Sequence, residues 1–136
     1  NHAKPGFECR HNLNYWTGAD YLGFGPAAHS YFGGRRSWNI RNLDAYMADV
    51  MNSGTGEADS EMISHSMARN EMILTRLRLT QGLNLEEFST IYHENLLQTK
   101  KDMLHKWTGK IVVSDGHLKI ARGGWALIDE ISSDLM

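Results

Sequence analysis

The sequence predicts an α+β fold in which a mainly helical C-terminal part follows a part with short strands. After residue 61, apolar residues recur at helical spacing and glycine is scarce until the end. Two short apolar runs, 111–113 and 118–120, flank Asp115-Gly116, a pair that favours the tight turn of a hairpin. Before residue 53, glycine and aromatic residues are frequent, as in short strands joined by turns. The resulting order of helix, helix, helix, hairpin and helix is that of a winged helix, with the hairpin as the wing.

The first part is expected to contain two helices and two short strands. Residues 11–16 are predicted to form a short helix, because Gly18 stands where a helix end often has glycine. Asn42 is the expected N-cap of a second helix, which runs to about Met51 with its apolar residues on one face. Strands are predicted at 21–25 and 36–40, and a loop at 53–60.

The second part is expected to contain four helices and the hairpin. Gly82 and Gly109 stand where two of the helices should end. Asn84 precedes Glu87 by three residues, a relative of the capping box that starts a helix. The helices are predicted at 62–79, 84–91, 96–107 and 125–135.

Length and charge limit the possible functions. The chain has 136 residues, enough for one domain or for a small domain with part of another. Lys and Arg number 14 and Asp and Glu number 16, which gives a net charge of −2. Such a chain has no strong electrostatic attraction to nucleic acid or to an anionic membrane. No apolar run approaches the roughly 20 residues that cross a bilayer, so no transmembrane segment is expected.

The single cysteine, Cys9, limits the redox chemistry. It excludes an internal disulfide framework and fits a reducing, cytoplasmic setting. It also excludes a cysteine-based zinc or iron–sulfur site held wholly by this chain. The sequence begins Asn1-His2 and not with Met, from which we expect a longer parent protein.

The charge of the winged-helix part argues against DNA binding. Residues 79–136 contain six Lys or Arg and eight Asp or Glu, a net charge of −2. A protein that reads a DNA groove needs a concentrated basic face. We therefore expect no nucleic-acid partner and favour a packing or interaction module.

Residues 11–16, with the sequence His-Asn-Leu-Asn-Tyr-Trp, form the most concentrated functional signal. On a helix, His11 and Tyr15 would share one face, and Asn12 and Trp16 the next. An imidazole beside flat aromatic surface suits a planar macrocycle with a central metal, because the nitrogen can bind iron and the rings can cover the macrocycle. The alternative is a short amphipathic helix with Tyr15 and Trp16 in the core, and spacing alone favours this alternative.

A second candidate site follows a glycine-rich turn at residues 23–30. The small residues allow close approach of the backbone to a ligand or to another element. His29 and Ser30 could contact a bound substrate there, or could pack tightly at a sheet edge, and both alternatives stay open. A phosphate loop is disfavoured because its Lys-Ser/Thr ending is absent. No catalytic arrangement of Ser, His and Asp and no carboxylate pair stands out.

Several stretches resemble the HemW-type radical S-adenosylmethionine (SAM) proteins, which are grouped with the oxygen-independent coproporphyrinogen III oxidases. The most specific is the His-Asn-x-x-Tyr-Trp motif at 11–16, within a similar stretch from Ala3 to Trp16. The C-terminal helices and the wing resemble the family's HemN-type C-terminal domain. The remaining similar stretches are 20–25, 28–31, 36–39 and 77–83.

The resemblance implies a division of the chain and of its longer parent. Residues 1–41 would be the short-strand tail of a truncated radical SAM α/β barrel, 42–61 a connecting helix and loop, and 62–136 the HemN-type domain. The missing N-terminal part would hold a [4Fe–4S] cluster on three cysteines, with SAM on the open iron. Cys9 is not one of those cysteines, so the chain alone would carry no radical chemistry and no catalytic residue.

The resemblance implies two alternative functions. In the first, the parent is a haem chaperone that binds haem and delivers it to haem proteins. His11 would then be a haem contact and iron ligand, with Tyr15 and Trp16 flanking the macrocycle and Asn12 beside them. In the second, the chain covers the substrate of a coproporphyrinogen III oxidase in porphyrin biosynthesis, and 11–16 is mainly structural. The partners implied are haem or a porphyrin, the missing radical SAM domain and a recipient protein.

Separation from a barrel would also expose apolar surface in the first 40 residues. We expect this surface to pack loosely or to form a homodimer through Phe7, Tyr15, Trp16 and Phe24.

Overall fold

A computed structural model describes residues 3–4 and 6–136; Asn1, His2 and Pro5, which belong to the predicted barrel tail, lie outside the described residues. The chain mixes helices and sheets, as the sequence predicts. In chain order the elements are α1 (Arg10–Trp16), β1 (His29–Phe32), β2 (Arg35–Asn39), α2 (Leu43–Ser53), β3 (Glu57–Met62), α3 (His65–Arg76), β4 (Leu83–Asn84), α4 (Leu85–Tyr92), α5 (Leu96–Thr99), α6 (Lys101–Lys106), β5 (Ile111–Ser114), β6 (His117–Ile120), a 3₁₀ helix (Arg122–Leu127) and α7 (Ile128–Leu135).

The elements belong to two compact units. One is Ala19–His65, and the other combines the described part of Asn1–Gly18 with Ser66–Met136. The division predicted from sequence, at 1–41, 42–61 and 62–136, stays a prediction about the parent protein.

The Ala19–His65 unit is built on an antiparallel sheet with the order β1-β2-β3. Two ion pairs join β2 to β3, Arg35 with Glu57 and Arg36 with Glu61, the latter at 3.1 Å. Helix α2 begins as predicted, because the side-chain oxygen of Asn42 accepts a hydrogen bond from the backbone N–H of Ala45 at 3.0 Å.

Two predictions for this unit are wrong. Strand β3 occupies half of the predicted loop, residues 57–60, because Glu57–Met62 pairs with β2 as an edge strand although it has no alternating apolar pattern. The predicted strand at 21–25 is reduced to a single bridge between Tyr21 and Tyr31. Its other residues enter a turn in which Gly25 has a φ of +95°.

The other unit contains the hydrophobic core. Helices pack against a second antiparallel sheet, with the order β4-β6-β5, in which Leu83 of β4 pairs with Leu118 of β6. The predicted hairpin is confirmed: Asp115 and Gly116 join β5 to β6 with φ values of +51° and +73°, as a type I′ turn requires. The buried core residues are Ile73, Leu77, Leu83, Phe88, Leu96, Trp107, Leu118, Ile120, Ile131 and Leu135.

The helices of this unit are shorter and more divided than the apolar pattern predicts. Met62 is the last residue of β3, and the Ile63 N–H donates to the Gly34 carbonyl. After Arg76 the chain turns through single hydrogen bonds to Gly82. The predicted helix at 96–107 is broken at Lys100, whose φ of −112° is not helical. The predicted helix at 125–135 begins as the 3₁₀ helix and continues as α7.

Asn84 caps α4 as predicted. Its side-chain oxygen accepts hydrogen bonds from the N–H groups of Glu86 and Glu87, both at 3.0 Å. These two N–H groups have no carbonyl partner within the helix, so the cap satisfies donors that would otherwise need water.

Candidate functional site

Helix α1 carries the His-Asn-x-x-Tyr-Trp motif, and α3 holds its C-terminal end. The guanidinium of Arg76 donates hydrogen bonds to the carbonyls of Trp16 and Thr17, at 3.5 and 3.1 Å. These are among the carbonyls that a helix leaves without an internal partner. Gly18 follows with a φ of +69°, the left-handed conformation predicted for the helix end. The motif is therefore held by a long-range contact as well as by its own turns.

His11 and Tyr15 occupy one face of α1, as their spacing predicts. The hydroxyl of Tyr15 lies 3.1 Å from Nε2 of His11, within hydrogen-bond distance. The two rings are edge to face, with centroids 4.9 Å apart and an angle of 87° between the planes. Both side chains are exposed. The contact fixes the orientation of an imidazole that faces solvent.

Asn12 and Trp16 occupy the adjacent face of α1, which borders a cleft of about 660 Å³. Ligand pockets commonly have volumes of about 300–1,000 Å³ and mainly apolar walls. The cleft is lined by Ala3, Phe7, Glu8, Cys9, Asn12, Leu13, Trp16, Arg78, Leu79, Thr80, Trp125 and Ile128. The motif thus presents a polar imidazole on one face and an aromatic wall of a cleft on the next.

The cation of the cleft is Arg78, which the site predictions did not include. Its Cζ atom lies 5.8 Å from the centroid of the Trp16 ring, a cation–π distance. Its Nη2 atom is paired with the carboxylate of Asp129, and its Nη1 atom donates to the Leu74 carbonyl at 2.5 Å. The similar stretch at 77–83 contains Arg78, but neither spacing nor composition indicates that it meets Trp16, 62 positions earlier.

His29 and Ser30 belong to the Ala19–His65 unit and start strand β1. The hydroxyl of Ser30 accepts a hydrogen bond from the Gly23 N–H at 3.0 Å. A Cβ on Gly23 would lie 2.2 Å from the His29 carbonyl oxygen, so glycine is required there. The His29 ring is exposed and lies 6.1 Å from that of Trp38. This geometry gives Ser30 a structural role, and a ligand contact for either residue stays a prediction.

The described residues include no cluster of three or more His, Cys, Asp or Glu side chains that could hold a metal ion. Cys9 is exposed, and one thiolate cannot hold an iron–sulfur cluster. A haem iron needs only one or two protein ligands, which an exposed imidazole such as that of His11 can supply. Among the side chains of α1, the exposed imidazole of His11 is the one that offers a nitrogen ligand of this kind. None of the described helices is long and apolar enough to span a bilayer.

Residues 63–127 match the HemN C-terminal domain family. The heme chaperone HemW of Mycobacterium tuberculosis is 34% identical over 116 residues, which cover 85% of this chain and 30% of that protein. The heme chaperone HemW of Bacillus subtilis is 33% identical over 96 residues, covering 71% of this chain and 25% of that protein. This chain therefore spans less than a third of the length of the curated relatives it matches.

A solved structure of coproporphyrinogen III oxidase (HemN) from Escherichia coli, described as a radical SAM enzyme, has a similar fold. The TM-score is 0.71 at 17% identity, and the superposition covers 86% of this chain and 28% of that chain.

Proposed function

We propose that this chain is part of a haem chaperone, which binds haem and delivers it to haem proteins. The chain itself is a HemW-type C-terminal region that carries a HemN C-terminal domain. The observation that carries the proposal is the exposed His11 imidazole, oriented by Tyr15 on a helix that also borders an aromatic cleft. An exposed ligand suits a carrier, because a cargo that must be handed on cannot be enclosed on every side.

In this proposal His11 binds iron through Nδ1, in the tautomer in which Nε2 carries the proton. When Nε2 carries the proton it donates to the Tyr15 oxygen at 3.1 Å, and Nδ1 then presents the lone pair. Hydrogen bonds of this kind orient a metal-binding histidine and fix its tautomer. Asn12 and Trp16 would contact the macrocycle from the adjacent face of α1.

The remaining features of the parent belong to the same proposal. Residues 62–136 would be a winged-helix-like domain, and 1–41 the tail of a radical SAM barrel. Phe7 and Phe24, within 1–41, are 80% and 87% exposed. The [4Fe–4S] cluster and SAM would lie in the missing N-terminal part. The location would be cytoplasmic. The partners would be the N-terminal part of the parent, a haem-recipient protein and a second copy of the chain, which would bind through the exposed aromatic residues.

A haem titration followed in the visible spectrum tests the proposal, in this chain and in the full-length protein that contains it. We expect a Soret shift that His11→Ala abolishes. Tyr15→Phe keeps the ring contact but removes the hydroxyl, and we expect binding about tenfold weaker. His105→Ala is the matched control, because His105 is an exposed histidine on α6, outside the motif.

Binding that is unchanged in His11→Ala, or absent from both proteins, would contradict the proposal. Turnover of coproporphyrinogen by the reduced full-length protein with SAM would then favour the alternative, a substrate-covering domain of an oxidase. The likeness to HemN does not choose between the two, because at 17% identity it concerns the fold alone.

A further inference from the structure

We propose that the cleft beside α1 binds the carboxylate-bearing edge of a tetrapyrrole, with Arg78 as the partner of a propionate. The choice of a tetrapyrrole rests on the proposed function. That the ligand is flat and apolar and bears a carboxylate is inferred from the residues that line the cleft. Neither Arg78 nor Trp125 belongs to the His-Asn-x-x-Tyr-Trp motif.

The walls of the cleft suit a flat apolar body. Trp16 and Trp125 supply indole rings, and Phe7, which also lines the cleft, is 80% exposed. Leu13 and Ile128 add aliphatic surface. Aromatic rings offer large contact areas to a planar ligand, and an exposed phenylalanine in the lining gains apolar contact when a ligand covers it.

The guanidinium of Arg78 is oriented in a way that suits a carboxylate ligand. A guanidinium has five N–H groups, and its described hydrogen bonds engage one N–H on Nη1 and one on Nη2. The bond to the Leu74 carbonyl and the position of the guanidinium over the Trp16 ring fix the group before a ligand arrives. A pre-organised guanidinium binds a carboxylate through two parallel hydrogen bonds.

Asp129 is a replaceable partner of Arg78. Its side chain is 80% exposed, whereas that of Arg78 is 26% exposed. Ion pairs that water reaches so readily contribute little to stability, so a ligand carboxylate can take the place of Asp129 at small cost. Among the described residues that line the cleft, Arg78 is the only cation and Glu8 the only carboxylate. A propionate would be attracted to Arg78 and repelled by Glu8, which gives the ligand one favoured orientation.

The test compares two iron-free ligands, protoporphyrin IX and its dimethyl ester, by quenching of tryptophan fluorescence in the 136-residue chain. We expect the free acid to bind about tenfold more tightly than the ester, since charge-assisted hydrogen bonds are about twice as strong as neutral ones. Arg78→Gln should remove that difference by weakening the acid alone. Asp129→Asn should strengthen binding of the acid, because it removes the competing carboxylate.

Arg122→Gln is the matched control, because Arg122 is an exposed arginine in the 3₁₀ helix and outside the cleft lining. Equal affinities for acid and ester, with no response to Arg78→Gln or Asp129→Asn, would overturn the inference. If Arg78→Gln does not fold, the comparison of acid with ester and the Asp129→Asn variant still test whether Arg78 binds a carboxylate. These ligands lack iron, so their binding does not depend on iron ligation by His11. Haem binding that requires His11 is therefore compatible with a negative result for Arg78, and Arg78-dependent porphyrin binding is compatible with a negative result for His11.

Discussion

At the scale of single residues, three hydrogen bonds hold the carboxylate of Glu94. Its two oxygens accept hydrogen bonds from Nε and Nη2 of Arg69, at 2.6 and 2.8 Å, and from the Thr99 hydroxyl at 2.6 Å. The hydrogen bonds from Arg69 are the main cause that lowers the pKa of Glu94 to about 2, and desolvation opposes them. Arg69 also donates to the Met136 carbonyl at 3.0 Å, so the pair ties α3 to the C-terminal end of the chain.

The lowered pKa of Glu94 predicts a loss of stability in acid. A carboxylate with a lower pKa in the folded than in the unfolded state stabilises the fold above its unfolded pKa, here near 4.5, and loses this contribution as the pH falls towards 2. The contribution should be on the order of 2 kcal/mol at pH 7. Urea unfolding at pH 7, 4.5 and 3 should therefore show a steeper decline for the natural chain than for Glu94→Gln. Glu130→Gln, at an exposed carboxylate of α7, is the control and should follow the natural chain.

Whether the sequence predicts a contact between two residues depends on how far apart they lie along the chain. His11 and Tyr15 are four positions apart on one helix, so the helical period alone predicts their contact. The 25 positions between Arg69 and Glu94 and the 51 between Arg78 and Asp129 carry no such period. The cation of the candidate cleft could not be predicted for the same reason, because its partners meet only after the helices pack.

At the scale of elements, Gly82 decides how closely the chain before β4 approaches β6. Gly82 is buried and has a φ of +80°, and a Cβ there would lie 2.3 Å from the Leu118 carbonyl oxygen. Gly109, with a φ of +79°, has open space around the same position. The two glycines share the backbone conformation and differ in the room for a side chain.

The comparison of Gly82→Ala with Gly109→Ala separates backbone strain from steric overlap. An alanine in the left-handed conformation should cost roughly 1–2 kcal/mol at either position. Gly82→Ala should cost about 1–3 kcal/mol more, because strands must move apart to admit the methyl group. Urea unfolding followed by circular dichroism measures both values. Equal losses would show that the approach of Gly82 to β6 is not tight in solution.

Elements with local signals were predictable, and elements held by distant partners were not. Helix α4 and the β5–β6 hairpin follow from an N-cap asparagine and an Asp-Gly turn, both read within a few residues. Strand β3 has no alternating apolar pattern, and its backbone partners, such as Arg35 for Met62 and Arg36 for Glu61, lie 27 and 25 positions earlier. The break at Lys100 likewise lies within a continuous helical pattern, next to Thr99, whose hydroxyl is bonded to Glu94.

At the scale of the whole molecule, burial is distributed unequally between the two units. Every hydrophobic residue of the buried core lies between Ile73 and Leu135. In Ala19–His65, all of which the structure describes, no hydrophobic side chain is buried; Ser37 and Gly56 are the buried residues. The free energy of folding from apolar burial is therefore concentrated in one unit, and the other depends mainly on the hydrogen bonds of its sheet.

Hydrogen exchange should reveal this inequality, because local opening is governed by the burial that it must undo. The hairpins β1–β2 and β5–β6 provide a matched comparison, since each pairs four residues in antiparallel register. Amides of β1–β2 should show protection factors at least about tenfold lower than those of β5–β6. Leu118→Ala should then lower the protection of β5–β6, by the roughly 2–5 kcal/mol of a core truncation, and leave that of β1–β2 unchanged. Equal protection of both hairpins, falling together in the variant, would mean that the two units unfold as one and that burial outside Ile73–Leu135 contributes more than their exposure indicates.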